Sequence, residues 1–351
     1  MKRIITKGII LFAMLFAAVI LPGCVHEWPD DPYPEDATLR LQFEHDRPIP
    51  LYATVDYTAR SRDGVSSDRS GYHLRYTVNA YEEGSRRLIR SRVFFKEDIS
   101  SMDHQVEMKL PRGRYSVKVW AEYVSAENHS DLYYDISDFS EIKLAGAAHR
   151  GCTDYRDAAL GSFEADLTPA SGHEEWEDVE VSGVVRLERP LARFRFITTD
   201  LNEFISRYEK ETAAANDGRA PSKSPASILS EYAVQLRYAG FMPSTFNVFT
   251  DSPADASTGI SFDGDMRIID HDNIELGFDY MFVNHADASV DVSVELYSRL
   301  TGELVASCDP VKVPLKRSRL TEVRGRFLTS TSTGGMGINP DFSGSFDIEI
   351  K

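Results

Sequence analysis

Apolar residues recur at every second position through much of the chain, and that alternation limits its fold more than any other feature. Leu39, Leu41 and Phe43 alternate with Arg40, Gln42 and Glu44, and Leu74, Tyr76, Val78 and Ala80 alternate with Arg75, Thr77 and Asn79. A strand turns successive side chains to opposite faces, so this spacing gives each segment one buried face and one wet face. The signature returns at 93–95, at Val106, Met108 and Leu110, and at Tyr115, Val117, Val119 and Ala121. Pro111-Arg112-Gly113 stands between the last two as a tight turn, and the pair is predicted as a hairpin. Later strands are predicted over 232–238, 274–283, 290–297, 312–315, 320–328 and 346–350. One helix interrupts them: Asp200 and Glu203 have capping-box spacing, and Leu201, Phe204, Ile205 and Tyr208 share a face. Trp120 falls in a strand and is expected in the core. Many short strands broken by turns, with one short helix, make the expected class all-β, built as β-sandwiches.

The 351 residues are enough for two domains of about 150 residues each. A polar, acid-rich connection over 169–178 separates two series of strands, and the division is placed there. The expected domains are an N-terminal sandwich over 37–178 and a C-terminal sandwich over 179–351. The stretches 57–70 and 210–227, polar and without periodicity, read as loops.

Residues 1–36 follow a different logic. Lys2, Arg3 and Lys7 precede an apolar run over 9–21, and Leu21-Pro22-Gly23-Cys24 closes it, which reads as a lipoprotein signal peptide over 1–23. The small Gly23 admits a peptidase, and the Cys24 thiol can take a thioether-linked lipid, so Cys24 becomes the first mature residue. Pro22 is a less usual occupant of its place. The run is too short for the roughly 20 apolar residues that cross a bilayer. Residues 25–36 hold three prolines and five acids, an extended, solvated tether. Glu27, Asp30 and Asp31 resemble the surface-export signal of Bacteroidetes lipoproteins, which implies an outer-membrane anchor facing the cell exterior; an acidic linker facing the periplasm is the alternative. Three basic residues and no acid leave with the signal, taking the net charge from −16 to about −19. Nucleic acid and anionic membrane surfaces are poor partners for such a chain.

No nucleophile elbow, phosphate loop, dinucleotide fingerprint or zinc-protease motif is present, so a non-enzyme without catalytic residues or cofactor is expected. Asp263-Gly264-Asp265 and Asp270-His271-Asp272-Asn273 are the densest groups of oxygen donors. Their spacing is not that of an EF-hand, and Asp, Gly and Asn favour turns for backbone reasons, so turns and no metal are expected. Cys152 and Cys308 could form one disulfide or stay as two free thiols. Tyr133, Tyr134, Trp28 and Trp176 could stack on sugar rings if exposed, or pack against the chain's own loops.

A series of segments in order resembles the Bacteroidales fimbrillin-type proteins. They are 39–43, 78–81, 115–120, 134–139 and Tyr155-Arg156-Asp157 in the first half, then Arg189-Pro190-Leu191-Ala192-Arg193-Phe194, 313–317 and 324–329. Within that group the chain is most similar to lipid-anchored anchor or accessory subunits. The resemblance implies two tandem transthyretin-like, Greek-key β-sandwich domains at the cell surface, acting in fimbria assembly or adhesion. Its implied partners are other fimbrial subunits, joined by β-strand complementation, and the outer membrane, held through the lipid. Phe346, Ile348 and Ile350 share one face of the last segment, which is either a donated strand or the last strand of its own domain. Arg47, Arg60 and Arg62 are the nearest sites for the cleavage that matures stalk subunits, and an anchor would not be cut there. The alternative function is a glycan-binding surface lipoprotein of a polysaccharide-uptake system, which requires Tyr133, Tyr134 and Trp176 exposed on one face.

Overall fold

Alternation becomes strand wherever the structure is described, which in this computed structural model is residues 37–45, 51–56, 71–146, 148–169, 179–215, 217 and 223–330. In chain order the first strands are β1 (Ala37–Glu44), β2 (Leu51–Asp56), β3 (Tyr72–Glu82), β4 (Leu88–Lys96), β5 (His104–Leu110), β6 (Arg114–Ser125), β7 (Tyr134–Asp135), β8 (Ile142–Leu144), β9 (Ala158–Asp166) and β10 (Val179–Arg186). There follow β11 (Leu191–Thr198), helices α1 (Leu201–Ala215) and α2 (Pro225–Leu229), β12 (Tyr232–Tyr238), β13 (Met242–Asn247), β14 (Ser252–Ser257), β15 (Ser261–Asp263) and β16 (Arg267–Ile268). The last strands are β17 (Ile274–Phe282), β18 (Ala288–Ser298), β19 (Leu304–Ser307), β20 (Val311–Leu315) and β21 (Leu320–Gly325).

Two sandwiches result. The first packs the sheet β10-β1-β5 on the sheet β4-β3-β6-β9. Leu39, Leu41 and Phe43 of β1 meet Tyr76, Val78 and Val117 between the sheets, all within 1% of full burial. The second packs β16-β17-β11-β21-β2 on β15-β12-β18-β19, with β20 paired to β18. Phe194, Phe196, Leu236, Leu276 and Val292 fill its core, and Leu201, Phe204, Ile228 and Leu229 of the two helices close one side.

Four expectations change. Val106–Leu110 and Tyr115–Ala121 do not form a hairpin: β5 pairs with β1, β6 pairs with β3 and β9, and Pro111-Arg112-Gly113 is an arch from one sheet to the other. The Tyr115 hydroxyl donates to the Pro111 carbonyl at 2.7 Å and folds the ring back over the arch, a tyrosine corner. The division at 178/179 does not follow the sheets, because β10 lies beside β1 in parallel, Leu39 opposite Val181, and Val185 and Leu187 enter the first core. Conversely β2, from inside the first series, crosses to the second sandwich and pairs in parallel with β21.

The helix also differs at both ends. It runs on to Ala215, α2 follows within the stretch read as a loop, and its start is not a capping box. Asp200 instead turns its carboxylate to the chain after β21, accepting from Thr329 N at 2.9 Å, Thr329 Oγ1 at 2.7 Å and the Thr198 hydroxyl, while Glu203 pairs with Arg326. The local spacing was right for a cap, but long-range partners took both carboxylates.

Candidate functional site: the junction of the two sandwiches

β7 and β8 leave the first sandwich after β6 and join β13 and β14 in a sheet of order β14-β13-β8-β7, so each sandwich contributes two strands. Phe246 stands opposite Ile142 and Thr245 opposite Lys143. A third apolar core lies here, with Trp120, Tyr134, Phe246 and Phe282 within 1% of full burial. The Trp120 ring meets Tyr134 edge-on at 5.7 Å, and Tyr134 meets Phe282 at 5.6 Å. Phenylalanines buried this way stabilise by about 1.5–3 kcal/mol each, as in any domain core.

β17 serves two cores at once. Its pairing with β11 slips at Phe196/Ile197, and the irregularity changes which residues face which way. Ile274 and Leu276 enter the second sandwich, whereas Phe278, Tyr280 and Phe282 enter the junction. All nine positions are therefore buried, which erases the alternation there.

Charged groups cross the same boundary. A 3-10 turn, Asp154–Arg156, begins at Thr153, whose side chain accepts from Tyr155 N. From this turn Arg156 pairs with Asp279 of β17, Asp157 holds Arg189 Nε at 2.8 and 2.9 Å, and Asp154 meets Arg193 Nη2 at 3.0 Å. The Arg193 guanidinium also lies 4.1 Å over the Phe278 ring. Asp279, sealed from solvent, further accepts from the Tyr238 hydroxyl at 2.6 Å and Tyr280 N at 2.8 Å, and contacts His149 Nε2. Burial pushes its carboxyl up, but Arg156 and His149 outweigh that and hold it below the usual carboxylate range. Burial pushes the Arg156 guanidinium down, and Asp279 more than restores it, so both partners stay ionised. A carboxylate with every lone pair engaged and no access to solvent holds the sandwiches together; it has no capacity to take a proton from a substrate.

Beside Leu160 and Val248 of the junction core the surface opens into a cleft of about 790 Å³. Lys118, Gly161, Ser162 and Arg186 line it from the first sandwich, and Val248, Phe249, Asp251 and Arg317 line it from the second.

The residues singled out in the sequence fall unevenly on this frame. Leu21, Pro22, Gly23, Cys24, Glu27, Asp30, Asp31, Phe346, Ile348 and Ile350 lie outside the described residues, as do Trp28, Trp176, Arg47, Arg60 and Arg62. Tyr133 and Tyr134 are 8% and 0% exposed, so they form no sugar-stacking face; the Tyr134 hydroxyl donates to the Arg156 carbonyl instead. Cys152 and Cys308 are free thiols, half-buried against the second core, and burial pushes each up to about 11. Asp270 closes a turn, accepting from Asp272 N at 2.9 Å and Asn273 N at 3.0 Å. Local pattern missed the clasp, although two carboxylates, Glu275 and Asp279, inside the apolar run Ile274–Phe282 were a signal of buried charges awaiting partners.

The chain is distantly similar to several solved structures. It is similar to a candidate adhesin from Bacteroides ovatus, with 11% identity, a TM-score of 0.45 and coverage of 82% of this chain and 88% of that one. It is also similar to the fimbrial anchor protein Mfa2 from Porphyromonas gingivalis, with 12% identity, a TM-score of 0.38 and coverage of 78% and 82%. A candidate polysaccharide-binding protein from Bacteroides thetaiotaomicron gives 13% identity, a TM-score of 0.42 and coverage of 78% and 80%. No curated protein matches the chain. Residues 34–351, both sandwiches and the junction between them included, match one family, and the chain belongs to that family of unknown function, DUF6562.

Proposed function

We propose that the protein is a cell-surface fimbrial accessory subunit, lipid-anchored and non-catalytic, acting in fimbria assembly or adhesion. The observation that carries this reading is the junction. A subunit standing between a membrane anchor and an extracellular polymer must pass force from one end to the other, and two sandwiches on a loose linker would yield first at the joint. Here the joint is a shared sheet, an aromatic core and three cross-boundary ion pairs. Several of the segments that gave the fimbrillin-type resemblance converge on it: Trp120, Tyr134, Phe139, Arg156, Asp157, Leu191 and Arg193 all pack or pair there. The names of the compared proteins, fimbrial anchor and adhesin, belong to the same class of role, but the weight rests on the joint.

In this reading Cys24 carries the lipid, the acidic tether over 24–36 holds the sandwiches off the outer membrane facing outward, and neighbouring subunits join by strand complementation, with Phe346, Ile348 and Ile350 as the donor face. The uptake-system alternative loses support with the burial of Tyr133 and Tyr134.

The test is an affinity pull-down of the tagged full-length protein from outer-membrane extract, run on SDS gels with and without heating. A complemented strand can leave only by opening its domain, so a heat-sensitive ladder containing other fimbrial subunits is expected. A lone monomer in both lanes would overturn the fimbrial role. In the same strain, Cys24→Ser should abolish fatty-acid labelling and release the protein from membranes; retained label would remove the anchor from the proposal.

A further inference from the structure

We propose that the cleft beside the junction binds a neutral, hydroxyl-rich oligosaccharide. The inference goes beyond the fimbrial role and does not depend on it.

Size and position suit a ligand of several sugar units: the cleft measures about 790 Å³ and lies where two domains meet, a preferred place for binding sites. Its chemistry is more specific. Lys118, Arg186 and Arg317 line it together with Glu44, Glu188 and Asp251, three cations and three anions. Glu44, Arg186 and Glu188 are exposed, and among these six charges one ion pair forms, which leaves the others available to a ligand. Arg317, its side chain 8% exposed, gives Nη1 to Asp251 at 2.6 Å, and Asp251 also meets His285 Nε2 at 2.9 Å. Among the described residues Lys118, Arg186, Glu44 and Glu188 make no ion pair and no side-chain hydrogen bond, and the buried Arg317 Nε has no partner.

Glu44 and Arg186 stand opposite each other in the β1–β10 register, with Glu188 two residues further on, so donors and acceptors alternate along the cleft wall. Lys118 stands on β6 opposite Ser162 of β9, Arg186 ends β10, and Glu44 ends β1, so rigid strands fix their spacing. A ligand that bridges them must offer acceptors to the cations and donors to the carboxylates at alternating points. Sugar hydroxyls do both, and each bond to an ionised side chain is charge-assisted. An inorganic anion would satisfy the cations alone and would leave most of the volume empty. An acidic polymer would leave Glu44 and Glu188 facing like charge, on a chain already at −16. Stacking is not the mode of recognition, because the Phe249 ring already carries the Arg86 guanidinium 4.8 Å from its centroid.

The experiment uses the purified full-length protein on an array of neutral, acidic and amino-containing oligosaccharides, followed by titration calorimetry with the strongest neutral probe. Binding to neutral members is expected, with an affinity that changes less than about twofold between low and high salt, because no net charge is exchanged. The double variant Lys118→Ala/Arg186→Ala should weaken it at least about tenfold, the factor that follows from losing charge-assisted bonds. Both positions are at the surface of strands, so an unchanged melting temperature confirms that folding is not the cause. No neutral hit, binding confined to acidic sugars with steep salt dependence, or binding untouched by the double variant would each overturn the proposal. None of these outcomes bears on the pull-down, so the two readings fail separately.

Discussion

Replacing Arg156 by leucine strikes the junction at its most sealed point. The guanidinium is 4% exposed and its partner Asp279 is 0% exposed, so the substitution leaves a carboxylate buried with hydrogen bonds from Tyr238 and Tyr280 but without its main countercharge. Breaking a buried ion pair from one side costs about 3–5 kcal/mol, against a total stability of about 5–15 kcal/mol for a domain. Removing both charges, as Arg156→Leu/Asp279→Leu, leaves no orphan and should cost less than the two single changes together, with a coupling of at least about 2 kcal/mol. Trp120 sits in the junction core, so in a Trp28→Phe/Trp176→Phe background its fluorescence reports on the joint while far-UV circular dichroism reports on all strands. The parent should unfold in urea with both signals coincident, and Arg156→Leu should lose fluorescence first. The carboxyl of Asp279 is held below its unfolded value of about 3.9, so its contribution is complete above that pH and disappears as the pH falls further. Arg156→Leu should blunt that acid sensitivity. A loss below about 1 kcal/mol with coincident transitions would refute the clasp and leave two sandwiches that merely touch.

Glu122 behaves in the opposite sense: burial pushes it up to about 7, and Arg75 offsets this only in part, because it also binds Asp131 at 2.6 Å. A folded-state value above the unfolded one means that its contribution to stability falls as pH rises from about 4.5 to about 7, and Glu122→Gln should flatten that slope in urea midpoints measured across the range. Cys152 and Cys308, both pushed up by burial, should resist iodoacetamide at pH 8 until denaturant is added; rapid labelling of the native protein would contradict their packing. Tyr115→Phe removes the bond to Pro111 and should cost about 1 kcal/mol, read as a lower urea midpoint with unchanged slope.

Where a strand has one wet face, the sequence shows it plainly, as in β1 and β5; β3 and β6 alternate too, yet Thr77, Asn79, Trp120 and Glu122 on their second face are buried as well. Pairing is another matter. Val106–Leu110 and Tyr115–Ala121 carry hairpin spacing, yet an arch and a hairpin need the same short turn, and only the tyrosine corner distinguishes them. Val179–Arg186 alternates as well as any strand, but nothing local says that its partner is β1 rather than a later strand. Tyr133 and Tyr134 stand among Asp135, Ser137 and Asp138, so their surroundings in sequence look wet; their rings are dry because Phe246 and Phe282 arrive from the other sandwich. The cleft was least legible of all, since Lys118, Arg186 and Arg317 sit in ordinary polar positions of their strands or turns and acquire meaning only when the fold sets them together.

Two of the three parallel pairings among the described strands, β1 with β10 and β2 with β21, have a consequence for how the chain reaches this state. β1 lies between β5 and β10, and β2 lies against β21, so the first strands made are finished by strands made much later. Closing such loops costs entropy before any contact rewards it, which places the protein among slow folders of high contact order. Until Arg186 and then Gly325 have emerged, the apolar face of β1 and the edge that awaits β21 stand open to other chains. A chain of this topology needs protection from aggregation while it folds, and its yield on refolding should fall steeply with concentration.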